Sequence, residues 1–161
     1  MGLSPVASVS IRLATVDDFI RLAPLMEAYM AELGPLIDGG PPPPPASAHF
    51  EVYWHEPRRH AFAIEVGAEA AGFALIRSPQ PDVWSIGEFF VDSKHRHAGV
   101  GEAAATQLFD RFPGEWSVAE LEANMAAQRF WRAVIERYTG GAFTESWSPE
   151  RPKGPMQIFR C

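Results

Sequence analysis

One cysteine stands in 161 residues, and it is the last of them, Cys161. A single thiol excludes a disulfide within the chain and any site built from several cysteines. A chain without such staples suits a reducing compartment, so a cytoplasmic location is the expectation. Basic residues are short too: 14 Lys and Arg stand against 20 Asp and Glu, a net charge of −6. Binders of duplex nucleic acid carry a basic excess, so no nucleic-acid partner is expected. No apolar run approaches the roughly 18 residues that a membrane span needs. The opening MGLSPVASVSIRLATVDD has no basic stretch leading into a long apolar block, so neither a signal peptide nor a membrane partner is expected. What is present is an ordinary globular composition, 47% hydrophobic and 21% charged. The length fits one domain, expected over residues 9–161 behind an N-terminal extension of residues 1–8.

Proline is not scarce. GGPPPPPASA carries five in a row, Pro41–Pro45, which favours a stiff polyproline II stretch. Both flanks have foldable patterns, so the segment reads as a loop inside the domain, with an SH3-type ligand as the functional alternative.

Periodicity supplies the elements. VSIRLAT alternates and reads as a strand. Thr15 and Asp18 have capping-box spacing at the start of a helix, where Phe19, Leu22, Leu25, Met26 and Tyr29 recur at helical spacing. Pro24 should kink or divide that helix, and Gly34-Pro35 ends it. HFEVYWHEPRRH reads as a short helix stopped at Pro57. AFAIEV, a GAE turn and AAGFALI read as a hairpin. VWSIGEFFV is a further strand, residues 99–112 a helix, and EWSVAELEA a strand. Asn124 caps a last helix whose stripe is Ala127, Phe130, Trp131, Val134, Ile135 and Tyr138. AFTESWS and PMQIFRC close the chain as paired strands. The order is β-α-α-β-β-β-α-β-α-β-β, a mixed sheet with helices on its faces.

The chemistry concentrates in FFVDSKHRHAGVGEAAATQLFDRF, Phe89 to Phe112. A strand ends near Val91, a charged turn follows, and a helix starts at about Gly99. Free N–H groups and the helix dipole favour an anion there. Gly99 and Gly101 remove Cβ atoms from its approach, and Lys94 and Arg96 add positive charge. Three readings compete. One is a plain turn with solvated charges. The second is a Rossmann fingerprint, Gly99-Val-Gly101-Glu-Ala-Ala104, with Glu120 as the ribose acid. The intervening charged segment and the short remaining chain count against it. A Walker-type loop fails, because no Gly-Lys-Ser/Thr follows. His95 and His97 flank Arg96 without further metal-ligating partners, so no metal is expected.

The third reading is a resemblance. Val91 followed by Arg96-His97-Ala98-Gly99-Val100-Gly101 resembles the acetyl-CoA-binding motif of the GCN5-related N-acetyltransferase superfamily, R/Q-x-x-G-x-G/A leading a helix. Downstream, Asn124, Ala127 and Phe130 resemble that family's N-x-x-A-x-x-F. IRLATVDDFIRLAPLM and FAIEVGAEAAGFALI resemble its opening elements, so the similarity spans roughly residues 9–147. It implies an α/β fold with a mixed, mostly antiparallel sheet of six to seven strands and about four helices. Two parallel strands, here those ending near Val91 and Ala123, would splay into a cleft for acetyl-CoA.

The same resemblance implies an acetyltransferase that acts on a primary amine. Backbone groups of Phe89, Phe90 and Val91 would pair with the pantetheine arm. The N–H groups of His97, Ala98, Gly99, Val100, Gly101 and Glu102, beside Arg96, would hold the pyrophosphate. Asn124 would touch the pantetheine or cap its own helix. Glu88 is the candidate base and the Val91 N–H a candidate oxyanion donor. Glu120 is a second carboxylate, at a position commonly apolar in the family. Trp131 stands beside the cofactor where many relatives have Tyr, and an indole is no proton donor, which leaves the acid unknown. It also keeps a non-catalytic acyl-CoA sensor as the alternative. Tyr138 lies about 10 Å farther along the helix. Tyr29, Phe50, Tyr53, Trp54 and Trp147 could line an acceptor pocket or belong to core and rim. Glu32, Asp38, Glu51 and Glu56 favour a cationic acceptor. That acceptor would be a small-molecule or peptide amine, and the protein a monomer or homodimer.

Overall fold

The computed structural model describes residues 8–37, 50–148 and 153–161. Pro41–Pro45 and Asp38 lie outside the described residues. The element order matches the one read from the sequence. β1 (Val9–Leu13) leads to α1 (Val16–Leu33), a short 3-10 turn (Gly34–Leu36) and α2 (Val52–His55). β2 (Arg59–Val66), β3 (Glu69–Gln80) and β4 (Val83–Val91) follow, then α3 (Val100–Arg111) and β5 (Glu115–Ala119). α4 (Met125–Thr139), β6 (Phe143–Ser148) and β7 (Gly154–Arg160) complete the chain.

Seven strands form one sheet in the order β1-β2-β3-β4-β5-β7-β6. Every pairing is antiparallel except β4 with β5. A Rossmann sheet is parallel, so this topology overturns the dinucleotide alternative.

Helices cover both faces, and the central strands are apolar on both sides. On β2, Phe62 and Ile64 face the cluster that holds Ala104, Leu108 and Phe109 of α3 and Trp131, Val134 and Ile135 of α4. Ala61 and Ala63 face the other cluster, with Leu22 and Met26 of α1 and Tyr53 of α2. The period-2 alternation of a strand separates the two sets. Each face buries large side chains worth roughly 1.5–3 kcal/mol apiece.

α1 starts as its sequence suggests. The Asp18 carboxylate accepts from the Thr15 N–H at 2.7 Å and from the Thr15 hydroxyl at 3.0 Å. Arg12 clasps the same carboxylate at 2.8 Å and holds its pKa well below the usual carboxylate range. Pro24, by contrast, does not divide α1, which runs unbroken through it. The ring deprives the Ile20 carbonyl of its helical partner. Ile20 is 79% exposed, so the cost of the lost bond is limited by access to solvent.

β4 and β5 pair only through Val83–Ser85 and Glu115–Ser117. Beyond that point β4 stays on β3 as far as Val91, and β5 stays on β7 as far as Ala119. The two strands therefore part. Opposite β3, the register slips between Ile86 and Glu88, which leaves Gly87 as an extra residue. Such a bulge bends its strand, here two residues past the last β4–β5 pair. β5 is shorter than expected, ending at Ala119 rather than near Ala123. The Gln128 amide donates to the carbonyls of both Leu121 and Glu122 at 2.9 Å, which turns the chain into α4.

Gly87 also makes room for a neighbour. A Cβ there would lie 2.2 Å from the Tyr53 hydroxyl, and Tyr53 is only 5% exposed. Gly87→Ala is expected to cost about 1–3 kcal/mol through overpacking, a fall of roughly 2–12 °C in thermal midpoint. An unchanged midpoint by calorimetry would show that the hydroxyl is not confined there.

Candidate active site

The strand-to-helix turn after β4 has an unusual backbone. His97 has φ 62° and Gly99 φ 78°. A left-handed torsion is costly for a side chain such as that of His97 and natural for Gly99. The first bond of α3 runs from the Ala103 N–H to the Gly99 carbonyl at 3.0 Å. Among the described residues, none of the six N–H groups from His97 to Glu102 makes a well-aligned hydrogen bond to a protein acceptor, although residues 96–99 close a hydrogen-bonded turn. His97, Ala98 and Gly99 are exposed. The result is a row of amides at the positive end of a helix, close to the end of β4, where a Cβ on Gly101 would lie 3.6 Å from the Val91 side chain.

The cations near this turn behave differently from the expectation. Lys94 is paired with Glu69 at 2.6 Å. Arg96 forks onto Glu32 of α1 at 2.8 and 2.6 Å. Its Nε donates to the Val91 carbonyl at 2.8 Å, and its guanidinium lies 5.3 Å from the Phe90 ring centre. Arg96 thus ties α1 to the end of β4, and the Val91 carbonyl is already engaged. Glu102 is held by Arg137 at 3.0 Å. The histidines are not simply solvated: His95 is largely covered, its Nε2 is 3.6 Å from Glu69, and its Nδ1 is buried without a partner.

Several other residues take structural places. Gly101 has a packing reason of its own, because a Cβ there would lie 3.0 Å from the Phe130 ring. Asn124 caps α4, accepting from the Ala127 N–H at 3.1 Å. Trp131 is 5% exposed and meets Phe89 of β4 edge-on, ring centres 4.9 Å apart. Tyr138 packs against Phe109 and Phe159 and donates to Asp110 at 2.7 Å. Phe50 and Tyr53 belong to the core beneath α1 and α2. Trp54 donates to the Thr15 carbonyl at 2.7 Å and packs edge-on against Phe19. Trp147 is 53% exposed on β6, in the outermost strand of the sheet.

Glu88 lies just past the bulge, on the face covered by α1. The Tyr29 hydroxyl donates to its carboxylate. Burial, then the Glu88 charge, raise the Tyr29 phenol well above its ordinary range, so it keeps its proton. The sequence reading placed Glu88 and Tyr29 separately. They are 59 residues apart, and no local spacing connects them.

Glu120, by contrast, lies just past the end of β5 and is 4% exposed. Its Oε1 accepts from Gln157 at 3.0 Å, and its Oε2 is buried without a partner. Burial pushes its pKa up to about 8. Gln157 also donates to Glu145 at 2.8 Å, and Arg132 holds Glu145 at 2.8 Å. Glu120 thus belongs to a network between β5, β6, β7 and α4, whereas Glu88 faces α1.

With this geometry in hand, the comparisons are specific. The profile of the acetyltransferase (GNAT) family matches residues 23–134. The chain belongs to that family. Among curated proteins none matches it. Among solved structures, an acetyltransferase from Thermus thermophilus superposes with a TM-score of 0.72 at 17% identity, covering 97% of this chain and 99% of that one. The ribosomal alpha-N-protein acetyltransferase RimL, in complex with coenzyme A, gives 0.71 at 16% identity, covering 97% and 96%. AAC(6')-Ib, in complex with ribostamycin and coenzyme A, gives 0.69 at 15% identity, covering 95% and 93%. At these identities the likeness establishes the GNAT fold.

Glu120 yields a pH prediction. A carboxyl whose folded pKa stands above its unfolded value takes up a proton on folding. Its neutral form costs nothing at low pH, and stability falls as pH rises from about 4.5 toward 8. Glu120→Gln is therefore expected to leave the melting temperature nearly unchanged below pH 4 and to raise it increasingly up to pH 8. Parallel melting curves across that range would refute the assignment.

Proposed function

We propose that the chain transfers an acetyl group from acetyl-CoA to an amine. One observation carries this reading: six consecutive amides without a well-aligned protein acceptor, His97 to Glu102, stand at a helix N-terminus close to the end of β4, where two strands part. A diphosphate needs several donors and positive potential, and this turn provides both from backbone alone. The parted edges of β4 and β5 offer the space for an extended pantetheine arm alongside Phe89 and Phe90. RimL and AAC(6')-Ib, whose folds match, both hold coenzyme A, and this supports the same ligand class here.

The thioester supplies the activated acyl group, and the chain's residues meet three requirements. The amine must be neutral to attack, and an alkylamine has a pKa near about 10.4. Glu88 takes the proton as general base, directly or through a water. Tyr29 holds that carboxylate in place from α1 and stays protonated itself. The Val91 N–H faces the developing oxyanion. The departing thiolate, with a pKa of about 8.5, is protonated from water. Trp131 is enclosed beside Phe89, and Tyr138 is bonded to Asp110, so neither serves as acid. Asn124, Gly101 and Arg96 act on the site through the fold, by capping α4, admitting Phe130 and tying α1 to β4.

Two measurements test the reading. Coenzyme A at about 100 times its Kd should stabilise the protein by about 2.7 kcal/mol, read as a raised melting temperature, and NAD and ATP should not. Glu88→Gln should lower kcat for thiol release by about 10²–10⁴-fold and leave coenzyme A affinity unchanged. Turnover retained in Glu88→Gln removes it as the base. A wild-type protein that binds coenzyme A and acetylates no amine fits the sensor alternative instead.

A further inference from the structure

Of the four carboxylates expected around the acceptor side, the three among the described residues all have partners. Glu32 is consumed by Arg96, Glu56 by Arg59 at 3.0 Å, and Glu51 lies 3.5 Å from His55. In their place the sheet brings three arginines together. A depression of about 290 Å³ is lined by Glu56, Arg58, Arg59, Arg77, Pro79 and Ser85. Arg59 and Arg77 are direct cross-strand partners on β2 and β3, and Arg77 is in turn opposite Ser85 on β4. Two like charges placed directly opposite each other destabilise a sheet unless an anion sits between or above them.

The three cations are unequal. Arg58 donates to the Pro79 carbonyl at 2.6 Å. Arg59 has Glu56 and lies 5.0 Å over the Tyr53 ring. Arg77 has no ion pair among the described residues, and its buried Nε has no acceptor. That Nε lies 3.1 Å from where a Cβ of Gly87 would be. Gly87 is the bulge residue, and Glu88 is next to it. Arg77 thus lines the depression and reaches with its Nε, beside the Tyr53 hydroxyl, the bulge next to the candidate base. Leu75, opposite Glu88, is two residues from Arg77 on the same face of β3, a separation of about 7 Å along the strand. A molecule with an amine at Glu88 and an anionic group at Arg77 has the size of an amino acid or slightly more.

Resting on the acyl-transfer reading above, we infer that the acceptor is a small zwitterion: an amine that also carries a carboxylate or phosphate, bound by Arg77 and Arg59. The planar guanidinium fork suits either anion. A polyamine or plain alkylamine meets this cluster as a like charge and is disfavoured.

The test uses three matched amines: 4-aminobutanoate, its neutral amide, and 3-aminopropyl phosphate. Their N-acetyl products are titrated calorimetrically into the protein with coenzyme A present, so binding is read without turnover. The better of the two anionic probes should bind about ten-fold or more tightly than the neutral amide. Which one leads identifies the anion. Arg77→Met should bring that ratio close to one while coenzyme A still binds. Arg59→Gln, at a side chain that is 31% exposed, should reduce it in the same direction and guards against misfolding of the first variant. Equal wild-type affinity for charged and neutral probes overturns the inference. So does no binding of either anionic probe, or a ratio that survives both substitutions at a wild-type melting temperature. Charged probes that bind through Arg77 without any amine being acetylated would uphold the anion site and sink the transferase reading instead.

Discussion

The parting of β4 from β5 is the constraint on which the rest of the molecule depends. Parallel pairing lasts three residues, Val83–Ser85 on Glu115–Ser117, and then each strand follows its other neighbour. β4 is held by β3 and bent by the extra residue Gly87. β5 is held by β7 and then turned into α4 by Gln128. The open edges are tolerable because helices cover both faces of the sheet around them. An unpaired strand edge is otherwise a liability. Here it lies close to Glu88 and the row of amides, where an extended ligand can complete the hydrogen bonding.

Charge is arranged around this opening with economy. Lys94, Arg96 and Arg137, the cations beside the amide row, each have a carboxylate partner. The turn's attraction for an anion thus rests on backbone dipoles rather than on free side-chain charge, and the cations stiffen the frame. Arg96 does this for three elements at once: its own turn, the last carbonyl of β4, and α1 through Glu32. Exposed pairs of this sort contribute little stability singly. Their effect is to fix α1, and with α1 Tyr29, relative to Glu88. Arg77 differs from these: its Nε is buried beside the bulge without an acceptor, and it has no ion pair among the described residues.

Local patterns were legible to a large degree. The strand and helix order, the Thr15–Asp18 start of α1, the Asn124 cap, the apolar stripe of α4 and the hairpin turn at Gly67 all follow from short-range rules, and all are observed. The isolated glycine in VWSIGEFFV was the available signal for the bulge. The departures have a common origin. The division of α1 at Pro24 and the end of β5 near Ala123 are expectations from neighbours in sequence, whereas α1 runs through Pro24 and β5 ends at Ala119, where the Gln128 amide takes up the next carbonyls. The acidic residues expected on the acceptor side illustrate the same point: Glu32 is paired with Arg96, 64 residues away, while Glu56 and Glu51 have nearby partners in Arg59 and His55.

By itself the sequence determined the elements and the glycine turn at the head of α3, together with the family that they resemble. Periodicity, caps and turn residues act over a few bonds, and their physics is complete within a short window. Tertiary structure alone decided which side chains share a site. Tyr29 meets Glu88 across 59 residues, and Arg59 meets Arg77 only through the register of β2 on β3. Hydrogen bonds and charges act over a few ångströms, so their partners are set by strand order and helix docking, which no local spacing encodes.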